Sequence, residues 1–229
     1  MKIAILDFTG HPLPLLAGLS TAGTKIAAWL GPALPEAELD LVHVAEGEAL
    51  PALDAYAGYV VSGSEFGVYD RPDWMAPVRE FLLAVRAARK PVFGICFGHQ
   101  LMADCWGGKA ELSVPGMVVG VRRYDYLQGR VEAHAWHQDQ VVICPPCARI
   151  TGQADYCPMA ALDYEFPAHS VQFHPEYTQE DLRALFARGA GKFITEELVA
   201  GAIASFAGAA VDQRLAADQA AALFRAHGS

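Results

Sequence analysis

The segment Pro91-Val-Phe-Gly-Ile-Cys-Phe-Gly-His-Gln100 limits the fold more than any other part of the chain. A short apolar run, Pro91–Ile95, leads straight into Cys96, and a helical stretch, Gly98–Trp106, follows with no room for a loop. In open α/β sheets a strand that turns at once into a helix lifts the intervening side chain to the carboxyl edge, where ligands bind. Gly94 and Gly98 flank Cys96, and a small residue at each place lets the backbone bend and a substrate approach. The helix N-terminus beneath Cys96 favours a thiolate, and the Phe97 N–H is placed to stabilise an oxyanion. Most cysteines are small buried apolar residues, and the Gly-x-Cys-x-Gly pattern favours a nucleophile only in part, so the reading needs a base nearby.

Three more apolar, largely β-branched runs read as strands of the same sheet: Lys2–Leu6, Leu39–Val44 and Gly58–Val61. Runs without polar alternation predict a parallel sheet covered on both faces. Between the third run and Pro91, Val78, Phe81, Leu82 and Val85 recur at helical spacing over Asp73–Arg89, with Asp73 as a candidate start. The unit is βαβ, and right-handed crossover makes its strands parallel. The middle of the chain breaks into shorter segments, Met117–Tyr124, Val131–Ala135, Gln140–Cys144, Met159–Tyr164 and Ser170–Phe173, separated by Gly, Pro and polar turns. Tyr177–Arg188 reads as helical, and Ala-rich Lys192–His227 as two helices broken near Gly208. The prediction is a doubly wound, mainly parallel α/β sheet flanked by helices. A catalytic domain would span residues 1–190, with a helical C-terminal extension, 191–229, packed on it.

The base is supplied by Ser170-Val-Gln-Phe-His-Pro-Glu176. A second strand ends at a titratable residue, since Pro175 cannot continue a central strand. A thiol nucleophile needs a base, and the base needs a third group to fix its tautomer. Cys96, His174 and Glu176 supply those three roles.

Gly94-Ile-Cys-Phe-Gly-His-Gln100 together with Gln172-Phe-His-Pro-Glu176 resembles the class I (triad) glutamine amidotransferases, most nearly the free-standing GMP-synthase-like members. The likeness runs in order and spacing over about residues 1–190. It implies a flavodoxin-like fold and release of ammonia from glutamine through a γ-glutamyl thioester, with no cofactor and no metal. Val60-Val-Ser-Gly-Ser64 looks like the family's strand and oxyanion loop, so the Ser64 N–H would join that of Phe97. Trp136-His-Gln-Asp139 looks like its substrate loop. By that resemblance Gly63, Gln100 and the backbone of Gln138 and Asp139 would meet the substrate. Glu65-Phe-Gly67 departs from the family, many of whose members carry a proline and small residues there. The resemblance leaves two substrates open: glutamine, with ammonia passed to a separate synthetase chain, or γ-glutamyl conjugates cleaved by the same triad.

Other features exclude function classes. A formal net charge of −9 with no Lys/Arg run argues against nucleic acid. No stretch approaches the roughly 18 apolar residues of a membrane span. Met1–Asp7 reads as a first strand rather than a signal peptide, and five cysteines, an odd number, suit a reducing compartment; the expectation is cytoplasmic. Cys144-Pro-Pro-Cys147 reads as a turn between strands rather than a redox or zinc site. His99 reads as structural and His137 as shaping the substrate loop, while His11, His43, His169 and His227 carry no signal. The Ala-rich C-terminal helices would suit self-association.

Overall fold

The computed structural model describes residues 1–10, 18–127 and 129–228, and His11 lies outside them. β1 (Lys2–Asp7) leads through α1 (Ala22–Leu30) to β2 (Glu38–His43), and β3 (Gly58–Val61) through α2 (Met75–Ala87) to β4 (Val92–Ile95). α3 (Phe97–Cys105) starts directly after Cys96. Then come β5 (Lys109–Leu112), β6 (Val118–Tyr126), β7 (Gly129–His137), β8 (Asp139–Ile143), β9 (Ala148–Ala154), β10 (Cys157–Tyr164) and β11 (Ala168–Val171). Helices α4 (Gln179–Gly189), α5 (Glu196–Ala204) and α6 (Arg214–His227) close the chain.

One nine-stranded sheet runs β2-β1-β3-β4-β11-β10-β9-β6-β7, and β5 and β8 form a separate pair. The first five strands of that order are parallel and the remainder antiparallel. The apolar runs follow from this geometry, because helices cover both faces of the parallel half. Along β1, Ala4 and Leu6 pack with Val78, Leu82 and Val85 of α2 and with Leu101 and Met102 of α3. Ile3 and Ile5 point the other way, toward Ile26 and Leu30 of α1 and Ala216, Ala220 and Phe224 of α6. A third cluster joins Val119 and Val121 of β6 to Leu182, Leu185 and Phe186 of α4 and to Ala202 of α5.

The structure corrects several expectations. Asp73 does not cap α2; Trp74 holds that position and makes no side-chain capping bond. α1 lies outside the predicted elements, because Thr21, Gly23 and Thr24 are turn residues by type. Thr21 instead caps the helix by accepting from the Thr24 N–H, and Gly23 packs where a Cβ would lie 2.6 Å from Asp7 Oδ2. β5 and β9 also lie outside the prediction, and Gly152 breaks the pattern of β9 where a side chain would meet Ala161 Cβ at 2.7 Å. No helix among the described residues is long and apolar enough to cross a membrane.

Candidate active site

Register brings the two motifs together. β11 lies beside β4 with Val171 opposite Ile95, so the chain leaves both strands at the same edge of the sheet, and the Cys96 N–H donates to the Val171 carbonyl at 2.8 Å. Cys96 itself sits at φ 53°, ψ −106°, a backbone state that costs a side-chain-bearing residue about 1–3 kcal/mol. Close packing holds it there. The Gly98 N–H donates to Ser62 O at 3.0 Å, and a Cβ on Gly98 would stand 2.1 Å from the Val61 carbonyl oxygen. Gly98→Ala is therefore expected to destabilise the fold by about 3 kcal/mol, at the upper end for overpacking, because backbone rather than a side-chain tip blocks the methyl. A fall in the urea midpoint of that variant, with no change in slope, is the check.

His174 is held from three sides. Its N–H donates to His134 O at 2.8 Å, its ring stacks on Tyr177 at 4.2 Å between centroids with a 9° tilt, and Nδ1 donates to Glu176 Oε1 at 2.7 Å. Ring and carboxylate are both buried. Burial works against a charged ring, but the Glu176 carboxylate and the Cys96 sulfur outweigh it and hold His174 well above the ordinary imidazole range. The protonated ring donates from Nε2 to Trp136 O at 3.3 Å, and Cys96 Sγ lies 3.8 Å from the same oxygen. Gly63 makes room for this meeting: a Cβ there would be 3.3 Å from His174 Cε1 and 3.9 Å from Cys96 Cβ.

Cys96 lines a cavity of about 360 Å³ with Ser64, Phe97, Gln100, Gln138 and Asp139, so the residues expected of an oxyanion hole and substrate loop share one cavity with Cys96; Met117, Trp136, Phe193 and Ile194 add apolar walls. Gln100 Nε2 is committed to Asp139 O at 2.9 Å and Gln172 Oε1 at 3.1 Å. Ser64 Oγ donates to Phe8 O, and Tyr69 OH donates to Asp139 Oδ1 at 3.0 Å, strapping the loop after β3 to the start of β8. Burial raises the Asp139 carboxyl against the pull of Tyr69, and raises Glu65 to about 7. A larger cavity, about 760 Å³, lies behind Glu176 between α1, α4 and α6, away from Cys96.

Sequence reasoning missed Gln172, whose Nε2 lies 3.7 Å from Cys96 Sγ, and Tyr177 beneath His174. Gln172 follows directly on β11 and stands two residues before His174, in the same segment that leaves the sheet beside Cys96. His99 is buried between Ser170 Oγ and Met159 O, and His169 between Tyr126 OH and Asp163, both structural. Cys144 and Cys147 stand in the turn between β8 and β9 as free thiols. Among the described residues no three His, Cys, Asp or Glu side chains converge as metal ligands.

Residues 36–189, more than half of the chain, match the family model described as Glutamine amidotransferase class-I. The chain belongs to the class I glutamine amidotransferase family. It is thus an enzyme of the cysteine-nucleophile amide hydrolase class. The chain is 29% identical over 176 residues to γ-glutamyl peptidase 2 of Arabidopsis thaliana, covering 70% of this chain and 71% of that one. It is 34% identical over 144 residues to the glutamine-hydrolysing GMP synthase of Azoarcus sp. (strain BH72), covering 53% of this chain and 26% of the relative. A glutamine amido transferase of known structure from Methylobacillus flagellatus shares the fold at a TM-score of 0.73 and 18% identity, over 99% of this chain and 93% of that one.

Proposed function

We propose that this amidotransferase hydrolyses the γ-amide of glutamine through a Cys96 thioester and releases ammonia for an acceptor. The observation that carries the reading is the buried His174–Glu176 pair, whose ring meets the same Trp136 carbonyl as Cys96 Sγ, while Cys96 lines the cavity with Gln100 and Asp139. The Cys96 thiolate attacks the γ-carbonyl carbon. The N–H groups of Phe97 and Ser64 hold the tetrahedral oxyanion, each such donor being worth about 3 kcal/mol. His174 gives its Nε2 proton to the leaving nitrogen, then takes one from the water that clears the γ-glutamyl thioester. Glu176 keeps the ring oriented, and the α-carboxylate of the substrate rests on the backbone of Gln138 and Asp139. Relatives named as one subunit of a glutamine-hydrolysing GMP synthase favour a separate acceptor chain.

A second reading has its own support. The cavity exceeds what the side chain of glutamine needs, and its apolar walls, with Phe193 exposed, suit a larger leaving group than ammonia. With the likeness to γ-glutamyl peptidases, this supports cleavage of γ-glutamyl conjugates by the same chemistry. Comparing kcat/KM for L-glutamine with that for γ-glutamyl peptides separates the two. A preference for glutamine of about tenfold or more, equal to about 1.4 kcal/mol in the transition state, is expected of the first reading. The reverse preference transfers the assignment to the second, and hydrolysis of neither overturns both.

A further inference from the structure

Behind the substrate loop a line of polar groups, buried except for the half-buried Tyr156, runs from Tyr124 to the backbone of Asp139, and with a neutral His137 its hydrogen bonds have only one consistent direction. The Asp139 carbonyl oxygen accepts from Gln100 Nε2 at 2.9 Å and lies 3.1 Å from His137 Nδ1. A carbonyl only accepts, so the proton of His137 is on Nδ1. The ring is buried and stays neutral. Loss of water is the main cause, the Asp139 carbonyl opposes it, and the charges of His174 and Arg122 reinforce it, bringing the value to about 3. Nε2 then offers a lone pair, and Tyr156 OH, 3.2 Å away, donates to it. The Tyr156 oxygen is left to accept from Tyr124 OH at 2.5 Å. Tyr156 also stacks on the His137 ring at 5.7 Å. Neutral histidine in water prefers its proton on Nε2, so this chain inverts the ordinary tautomer.

The consequence falls on Asp139. Gln100 and His137 occupy both lone pairs of its carbonyl. Ser113 donates to the preceding carbonyl, that of Gln138, from N at 3.0 Å and from Oγ at 2.8 Å. Both peptide units flanking Asp139 are therefore fixed. In the antiparallel pair of β5 and β8, Leu112 faces Asp139. Because the neighbouring Ser113 N–H bonds to Gln138 O, the alternation of the ladder turns the Asp139 N–H away from β5, to the same side as its carbonyl and Gln100.

We propose that His137 is a positioning residue, locked as the neutral Nδ1–H tautomer by Tyr156 and Tyr124, and that it aims the Asp139 N–H at the amino-acid end of the substrate. The proposal rests on the reading that the substrate α-carboxylate meets this loop. Its tests therefore include one that needs no turnover.

In ¹⁵N-histidine-labelled protein, the His137 resonances are expected to report a protonated Nδ1 and bare Nε2, unchanged between about pH 5 and pH 8, the window in which an ordinary histidine titrates. An Nε2–H tautomer, or titration in that window, overturns the proposal whatever the substrate proves to be. His137→Asn keeps an N–H near the place of Nδ1, whereas His137→Gln carries its amide at the reach of Nε2. On L-glutamine, or on the γ-glutamyl substrate the wild type prefers, His137→Gln and Tyr156→Phe are expected to raise KM about tenfold with kcat changed less than about threefold, and His137→Asn to recover most of the loss. Equal KM values in all the variants, with the tautomer as stated, overturn the positioning role. A wild type that turns over no γ-glutamyl compound sinks the functional reading, and with it the aim assigned to the Asp139 N–H.

Discussion

Cys96→Ala is expected to lower ammonia release from L-glutamine by about 10⁴-fold or more, equal to about 5.5 kcal/mol of lost transition-state stabilisation. The size follows from what else the site contains. Ser64 Oγ is tied to the Phe8 carbonyl and serves the fold of its loop, so it does not replace the thiol. His174 Nε2 faces the Trp136 carbonyl and has no substrate atom to attack without the sulfur. On the proposed reading the Phe97 and Ser64 N–H groups and the Gln138–Asp139 backbone survive the change, so glutamine is expected still to bind while the covalent route closes. The fold also survives, because the backbone at φ 53° is held by Gly98, Ser62 and Val171 and not by the sulfur. Ammonia release by the variant within about tenfold of wild type, at unchanged stability, would remove Cys96 from the chemistry. Trapping a γ-glutamyl thioester by mass spectrometry in wild type, and its absence in the variant, gives the complementary reading.

What the sequence made legible is local. Cys96 and His174 each end an apolar run, so the two motifs could be found without knowing how the strands pair. Their meeting depends on β11 lying beside β4 with Val171 opposite Ile95, although 76 residues separate Cys96 from Gln172. Nothing in either motif states that neighbourhood, and it is also why Gln172 escaped notice. The helix α1 was hidden because Gly23 weakens its pattern, and only the Asp7 carboxylate packed against it explains a glycine there. The alanines of α6 predicted a helix packed on the catalytic domain but not the surface it meets. The partner is the sheet face of Ile3, Ile5 and Phe93, a surface assembled from distant runs. His137 could be placed in the substrate loop from its neighbours, but its tautomer depends on Tyr124 and Tyr156, which only the sheet order brings within reach.

Glu176→Gln is expected to lower kcat/KM by about 10³- to 10⁴-fold and to move the alkaline limb of its pH profile to lower pH. In the wild type, burial disfavours the charged His174 ring and is the largest single influence; the carboxylate of Glu176 and the sulfur of Cys96 together overcome it. Removing the carboxylate's charge leaves burial against the sulfur alone, so the imidazolium gives up its proton at lower pH. An amide can also present its NH₂ group to Nδ1, which selects the tautomer with the proton on Nε2 and takes the lone pair from the catalytic nitrogen. The sign for stability follows by linkage. A group whose pKa is raised by folding stabilises the native state fully below its unfolded value of about 6.5, and that contribution is lost as pH rises through the folded value. The wild type is therefore expected to exceed Glu176→Gln in thermal midpoint near neutral pH, and the gap to narrow as pH rises through the folded pKa of His174. Scanning calorimetry across that range, beside the pH–rate profile, tests both halves. An alkaline limb that stays in place in Glu176→Gln would mean that some group other than His174 carries the proton to the leaving nitrogen.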